Sequence, residues 1–238
     1  KLNELVIKYN KFYTKYEKKV DKKKQKDLFF KIKEIKKKVK EIEAEIVKIK
    51  VRMENKFDVV VLVGPNDLDI VHKQLTYTKK NIIGYRNIYL VSCDKDLQIE
   101  KTITIDEKSF PFKLENIRDF VVKNNKRRTI NRKKWYFQQL LKLYSGNVIK
   151  GIRNKYLVVD CDTFFLKPTT FFEGEIPLYA YGTENNDPYF EHMKNLYKNF
   201  TKVDPEKSGI CHHMVFDRKY VNEIIRIVER THKKPFYN

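Results

Sequence analysis

The chain has 238 residues, of which 41% are hydrophobic and 13% aromatic, and it contains only 7 Gly and 7 Pro. This composition excludes a disordered or collagen-like chain and provides enough apolar material for a core. With 51 Lys and Arg against 31 Asp and Glu, the formal net charge is +20, which favours anionic partners but does not specify a fold. No apolar stretch reaches the ~18 residues that span a bilayer, so we expect no transmembrane segment in this chain.

Three cysteines, Cys93, Cys161 and Cys211, are widely spaced along the chain. Because no Cys-x-x-Cys pair is present, a structural zinc site of the usual spacing is not expected. Free thiols are typical of a reducing compartment, which predicts a cytoplasmic location.

Residues 1–55 are predicted to form a basic helical unit. They contain 19 Lys and Arg, 9 Asp and Glu, and neither Gly nor Pro. Their apolar residues alternate at spacings of three and four, which is the pattern of a coiled-coil seam. The seam positions are Ile32, Ile35, Val39, Ile42, Ile46, Ile49 and Met53.

A second apolar seam precedes this one, at Leu2, Leu5, Tyr9, Phe12 and Tyr16. The polar run Asp21–Lys26 separates the two seams, so the unit is either a helical hairpin or one interrupted coiled coil. Beta-branched residues at the seam favour self-association, and we expect a homo-oligomer formed through these helices. Nucleic acid is not an expected partner, because arginines are few and no aromatic residues alternate with the basic ones.

From residue 56 onward the pattern changes to short apolar runs that alternate with helical periodicity. Such alternation predicts an α/β domain over residues 56–238, with a mainly parallel sheet flanked by helices. The predicted strands are Phe57–Val63, Asn87–Cys93, Lys155–Val159, Pro177–Tyr181 and Met214–Phe216. The predicted helices are Trp135–Tyr144, Asp187–Phe200 and Tyr220–Arg230. In a sheet of this kind, ligands bind beyond the carboxyl ends of the strands.

Three Asp-x-Asp triplets occur in the chain, at Asp67/Asp69, Asp94/Asp96 and Asp160/Asp162. Only the third has apolar residues on both sides, and burying charges in such a context is unfavourable unless they bind something. Residues i and i+2 of an extended chain face the same side, so Asp160 and Asp162 can face one cation. Oxygen ligands of this type suit Mg²⁺ or Mn²⁺. The third triplet is therefore the predicted metal site.

The segment Tyr156–Pro168 around this triplet resembles the Asp-x-Asp segment of GT-A glycosyltransferases. Together with Trp135–Leu143 before it and Cys211–Asp217 after it, it is similar to a group of glycosyltransferase-like proteins found in bacteria and large DNA viruses. The resemblance covers residues 57–230 and implies a GT-A (Rossmann-like) domain. The Lys-, Asn- and Ile-rich composition is typical of an AT-rich genome, and a giant virus is the expected source, with the host cytoplasm or the virion as the location.

The resemblance implies a metal-dependent enzyme that moves a sugar from a nucleotide-sugar, with a UDP-sugar as the expected donor, to a glycan or protein acceptor. Asp160 and Asp162 would bind Mn²⁺ or Mg²⁺, and either His212 or His213 would complete the metal site. His212 is preferred, because neighbouring strand residues face opposite ways and His213 would then face the acceptor. The expected contacts to the nucleotide-sugar are Gly64, Asn66, Asp67, Asp94, Gln138, Gln139 and Asp160.

The stereochemistry of the transfer stays open at this point. An inverting enzyme needs a carboxylate base near the acceptor hydroxyl, and Glu184 and Asp187 are the candidates because they follow the fourth predicted strand. A retaining enzyme needs neither of them in that role. Two other functions are compatible with the sequence: a non-enzymatic basic coiled-coil scaffold with a degenerate α/β domain, and a nucleotidyltransferase. The sequence contains neither a Gly-rich dinucleotide fingerprint nor a P-loop, which argues against a dinucleotide-binding enzyme and against an ATPase.

Overall fold

A computed structural model describes most of the chain. Its backbone is described for residues 2–17, 22–54, 57–117 and 133–238. Side chains of the N-terminal part are described for residues 4–11, 14 and 26–45. Among the described helices, none is both long and apolar enough to cross a membrane.

The chain divides into two compact units, Lys1–Glu54 and Asn55–Asn238. The first contains the two expected helices, α1 (Leu2–Glu17) and α2 (Lys22–Glu54), which pack against each other. The ammonium of Lys36 on α2 lies 5.7 Å from the centre of the Tyr9 ring on α1.

The seam of α2 is only partly described. Ile32 is buried, and Ile35, Val39 and Ile42 are half-buried. The seam positions Ile46, Ile49 and Met53, and on α1 the positions Leu2, Phe12 and Tyr16, lie outside the described side chains. The homo-oligomer stays a prediction.

The second unit is built from alternating strands and helices. Its strands are β1 (Phe57–Val63), β2 (Ile82–Ile83), β3 (Tyr85–Ser92), β4 (Ile103–Asp106), β5 (Lys155–Asp160), β6 (Thr169–Thr170), β7 (Phe172–Glu173), β8 (Ile176–Pro177) and β9 (His213–Asp217). Its described helices include α3 (Leu68–Asn81), α4 (Lys133–Val148), α5 (Asp187–Leu196) and α6 (Arg218–His232).

A five-stranded sheet with the order β4-β3-β1-β5-β9 forms the centre of this unit. Strands β1, β3, β4 and β5 are parallel, and β9 joins the edge antiparallel to β5. The expected α/β class, with a mainly parallel sheet flanked by helices and preceded by helices, is confirmed. The carboxyl ends of β1, β3 and β5 meet at one edge, because Leu62 pairs with Asp160 and Val63 pairs with Ser92.

The sheet is buried on both faces. Alternate residues such as Val60, Tyr156 and Val158 pack against α4 and α6, and their neighbours, such as Val61 and Val159, pack against α3. Burial on both faces explains why these strands are continuous apolar runs rather than alternating ones. The central sheet is therefore the middle layer between helices on its two faces.

One predicted strand, Pro177–Tyr181, is wrong. Strand pairing there is limited to β8 with β7, and Tyr179 and Tyr181 are exposed by 54% and 63%. Aromatic residues favour strands on average, but this segment pairs with no strand of the central sheet, in which β9 lies beside β5. The sequence analysis also did not indicate α3, the edge strand β4 or the short strands β2, β6 and β7.

An acidic residue lies inside the apolar run of β1. Asp58 is fully buried, and its carboxylate accepts hydrogen bonds from Arg86 Nε at 3.0 Å and Nη2 at 2.6 Å. It also accepts from the backbone N–H groups of Asn87 at 3.2 Å and Arg153 at 2.7 Å. These contacts tie β1 to β3 and to the loop before β5, at the end of the sheet opposite the carboxyl edge.

Candidate active site

Two segments that are far apart in sequence meet at the carboxyl end of β5. Asp160 is the last residue of β5. Since β9 runs antiparallel, its first residues lie at this same edge, and Val159 pairs with His213. The Asp160 N–H donates to the carbonyl of His212 at 2.9 Å. The pairing of β5 with β9 therefore brings the histidine pair next to the Asp-x-Asp triplet.

Asp160, Asp162 and His212 form a cluster that could hold a metal ion. Each offers one ligand atom, and these atoms all lie within 4.8 Å of one another. A tight turn after β5, in which the Thr163 N–H donates to the Asp160 carbonyl at 3.0 Å, places the Asp162 side chain near that of Asp160. Two carboxylates and one imidazole are a set of ligand groups that fits a divalent metal cation.

A cavity of about 550 Å³ opens beside this cluster. Besides the three cluster residues, its lining includes Asp67 from the end of β1, Gln138, Gln139 and Lys142 from α4, and Glu184 from the loop before α5. A volume of several hundred cubic ångströms at the carboxyl edge of a parallel sheet is typical of small-molecule sites.

Lys142 pairs directly with the cluster. Its ammonium contacts one oxygen of the Asp160 carboxylate, Oδ1, and both side chains are mostly buried, with 13% and 19% exposed. The other oxygen, Oδ2, lies 3.5 Å from His212 Nδ1. Both ends of the Asp160 carboxylate therefore face a nitrogen group.

An aromatic pair forms another part of the cavity wall. Trp135 of α4 and Tyr189 of α5 both line the cavity, with ring centres 5.7 Å apart and an interplanar angle of 16°. Trp135 is the single tryptophan of the chain and is 38% exposed. Its fluorescence is therefore a specific reporter of whether the cavity is occupied.

Cys161 lies between the two aspartates and also lines the cavity. Burial raises the pKa of its thiol to about 12, and the nearby carboxylates of Asp67, Asp162 and Asp160 act in the same direction. The thiol is therefore protonated at neutral pH and is not an activated nucleophile.

Comparison with known proteins places this chain in a family. Residues 54–202, more than half of the chain, match the family of unknown function DUF6492. The chain belongs to this family. Because DUF6492 is a family of unknown function, membership of it does not by itself provide an activity. No curated protein matches the chain.

Among solved structures, the DUF6492 chain is similar to the crystal structure of the apo form of the glycosyltransferase GlyE from Streptococcus pneumoniae TIGR4. The identity is 12%, the TM-score is 0.32, and the likeness covers 76% of this chain. The matched part is only 39% of the GlyE chain. A likeness of this size carries no information about activity.

The cavity of this DUF6492 member brings together part of the residue set expected from the sequence. The expected residues that line it are Asp67, Gln138, Gln139, Asp160, Asp162, Glu184 and His212. The expected residues of the described part that do not line it are Gly64, Asn66, Asp94, Asp187 and His213.

Local contacts explain several of the residues that do not line the cavity. Gly64 acts through its backbone, because its N–H donates to Asp67 Oδ2 at 2.9 Å and thereby orients that carboxylate. Asp94 forms a turn of its own, in which Oδ1 accepts the Asp96 N–H at 3.0 Å. Asp187 begins α5 and accepts a hydrogen bond from Asn185 at 2.6 Å.

His213 points away from the cluster, as alternation along a strand requires. Its ring packs against the edges of Phe165 and Phe171, with centre distances of 5.2 and 5.6 Å. Burial lowers the pKa of His213, the neighbouring His212 lowers it further, and Asp160 opposes both. His213 is therefore a neutral, half-buried packing residue in this arrangement.

Among the residues of the cavity wall that sequence reasoning missed are Lys142, Trp135 and Tyr189. The first two fall within the helix that carries Gln138 and Gln139. Residues three or four positions apart share a helix face, so Trp135, Gln138 and Lys142 form one stripe whose spacing was available in the sequence. No sequence pattern near Tyr189 indicates that it lines the cavity, because its position depends on how α5 packs against the rest of the unit.

Adjacent histidines provide a matched test of the cluster. We expect His212→Ala to weaken Mn²⁺ binding by about tenfold or more, since it removes a ligand, as loss of even an outer-shell partner does. His213→Ala should leave Mn²⁺ affinity nearly unchanged, because that ring faces the aromatic side. Calorimetric titration of Mn²⁺ into both folded variants measures the difference. Equal losses would show that the two histidines do not differ in role.

Proposed function

We propose that this DUF6492 member is a metal-dependent glycosyltransferase of the GT-A type that uses a nucleotide-sugar donor. The observation that carries this proposal is the meeting of Asp160, Asp162 and His212 at the mouth of a cavity on the carboxyl edge of the sheet. Neither the family nor the likeness to GlyE contributes to it. Three features support it: the metal-ligating groups of Asp160, Asp162 and His212, their place at the carboxyl edge of the sheet, and the chemistry of the cavity wall.

A divalent cation held by Asp160, Asp162 and His212 would stabilise the negative charge of a departing nucleoside diphosphate. The remaining groups of the wall suit a sugar nucleotide. Asp67, oriented by the Gly64 N–H, can accept hydrogen bonds from ribose hydroxyls. The amide groups of Gln138 and Gln139 can both donate to and accept from sugar hydroxyls.

Glu184 is the proposed general base for an inverting transfer. It is exposed, lines the cavity, and is positioned by a short bridge in which the backbones of Gly182 and Ser208 exchange hydrogen bonds of 2.9 and 2.8 Å. The bridge fixes the loop two residues before Glu184. A carboxylate in this place can take the proton of an acceptor hydroxyl as the hydroxyl attacks the sugar.

Glu184→Gln should therefore lower kcat by about 10²–10⁴-fold and leave donor affinity unchanged, because the amide keeps the shape but cannot accept the proton. Asp187→Asn is the matched control, since Asp187 lies three residues further along the chain, at the start of α5, and does not line the cavity. NMR of the product anomer records the stereochemistry. Full turnover by Glu184→Gln would contradict an inverting role for Glu184.

A donor screen tests the function itself. UDP-, GDP- and TDP-sugars are titrated with Mn²⁺ while the fluorescence of Trp135 is followed, and nucleoside diphosphate release is then measured with glycan and peptide acceptors. We expect one nucleotide class to change the Trp135 signal in the unmodified protein and not in Asp162→Ala. Nucleoside triphosphate turnover with pyrophosphate release, and no response to any nucleotide-sugar, would instead indicate a nucleotidyltransferase.

A further inference from the structure

Lys142 occupies an unusual position for a lysine. Its side chain extends from α4 into the cavity wall and is 13% exposed, and its ammonium contacts Asp160 Oδ1. Asp160 is at the same time a member of the candidate metal cluster. A positive charge is thus held against one of the carboxylates that a cation would need.

A buried structural ion pair in this chain looks different. Asp58 and Arg86 form a two-pronged pair, and the Asp58 carboxylate also receives two backbone N–H groups. Arginine suits such permanent geometry, whereas lysine is a compact charge on a flexible stem that can change partners. The Lys142–Asp160 contact lies on the wall of an open cavity. A lysine in such a place is able to exchange one anionic partner for another.

The electrostatics of this arrangement have opposite consequences for two ligands. An ammonium beside the cluster repels a second positive charge, so it disfavours a cation that binds alone. The same ammonium attracts a polyanion that reaches both it and the cation. Without a cation, Lys142 neutralises Asp160 and offsets the repulsion between the neighbouring carboxylates.

We propose that Lys142 couples cation binding to binding of a diphosphate-bearing ligand. Lys142 holds Asp160 while the cluster lacks a cation, and turns its charge to the diphosphate when a cation takes over the carboxylate. The cation and the anionic ligand therefore bind as a cooperative pair, each raising the affinity of the other. This inference rests on the proposed function in that the ligand is taken to carry a diphosphate.

Lys142→Met tests the coupling because it removes the charge and keeps the length of the side chain. Two calorimetric titrations are made on the full chain, one with Mn²⁺ alone and one with a preformed Mn²⁺–pyrophosphate complex. We expect affinity for Mn²⁺ alone to rise by about threefold or more as the repulsion is removed. Affinity for the complex should fall by about tenfold or more as a charged hydrogen bond is lost.

Lys134→Met is the control, because Lys134 is an exposed residue of the same helix that does not line the cavity; it should change neither affinity. A fall in affinity for Mn²⁺ alone in Lys142→Met would overturn the proposal, since it would mean that Lys142 merely keeps Asp160 in place. Unchanged affinity for the pyrophosphate complex would overturn it as well.

Failure of this inference and failure of the proposed function are distinguishable. Opposite shifts for Mn²⁺ and for the pyrophosphate complex would establish the coupling even if no nucleotide-sugar were turned over. Nucleotide-sugar turnover by a Lys142→Met variant whose two affinities are unchanged would instead support the glycosyltransferase and remove Lys142 from its site.

Discussion

Asp162→Ala is expected to lower the affinity for Mn²⁺ by at least about a hundredfold, because loss of even an outer-shell partner lowers metal affinity by about 10–100-fold. Asp162 is exposed and follows the end of β5, so its replacement should not disturb the core. The variant should keep the far-UV circular dichroism spectrum and the thermal midpoint of the unmodified protein.

The matched control is Asp96→Ala, which removes the last aspartate of another Asp-x-Asp triplet. Asp96 follows β3, is exposed and does not line the cavity. Calorimetric titration of Mn²⁺ into both variants separates a specific cluster from general attraction by surface carboxylates. Mn²⁺ binding by Asp162→Ala equal to that of Asp96→Ala would rule out the proposed cluster and, with it, the metal-dependent mechanism.

Asp160 and Asp162 could be recognised from the sequence because their signal is local. Two carboxylates at a spacing of two follow an apolar strand and precede another apolar segment, and charge in such a context is unfavourable without a partner. The end of a buried parallel strand is also the place where this class of sheet binds ligands. The local pattern and the chemistry of the residues therefore predict the same position for this pair.

The choice between His212 and His213 needed the pairing of the strands. Alternation predicted that only one of them faces the aspartates, but which one depends on the register of β9 beside β5. The structure pairs His213 with Val159 and places its ring against Phe165 and Phe171. The register between two strands depends on contacts between distant segments, so it cannot be read from the local sequence pattern of either strand.

The fold shows the same division between local and long-range information. Strand β1 has the bounds Phe57–Val63 that its apolar run predicts, whereas the similarly apolar and aromatic segment Pro177–Tyr181 is not a strand over its length. The difference is that β1 has a paired strand on both sides, whereas the strand pairing of Pro177–Tyr181 is limited to that of β8 with β7. Competition for a sheet edge decides such cases, not propensity.

Asp58 lies within the apolar run of β1, and the sequence pattern did not indicate its role. Its replacement should have the largest effect on stability among the variants considered. We expect Asp58→Ala to lower the free energy of unfolding by about 3–5 kcal/mol, because breaking a buried pair leaves charge and hydrogen-bond donors without partners. Here the groups left behind are the Arg86 guanidinium and the N–H groups of Asn87 and Arg153.

Urea unfolding followed by circular dichroism measures the change, with Asp69→Ala, an exposed aspartate of α3, as the control. Arg86→Met should also destabilise the protein, because it leaves the fully buried Asp58 carboxylate with only the backbone N–H groups of Asn87 and Arg153 as partners. An unfolding midpoint for Asp58→Ala equal to that of Asp69→Ala would show that the buried carboxylate does not hold β1, β3 and the loop before β5 together.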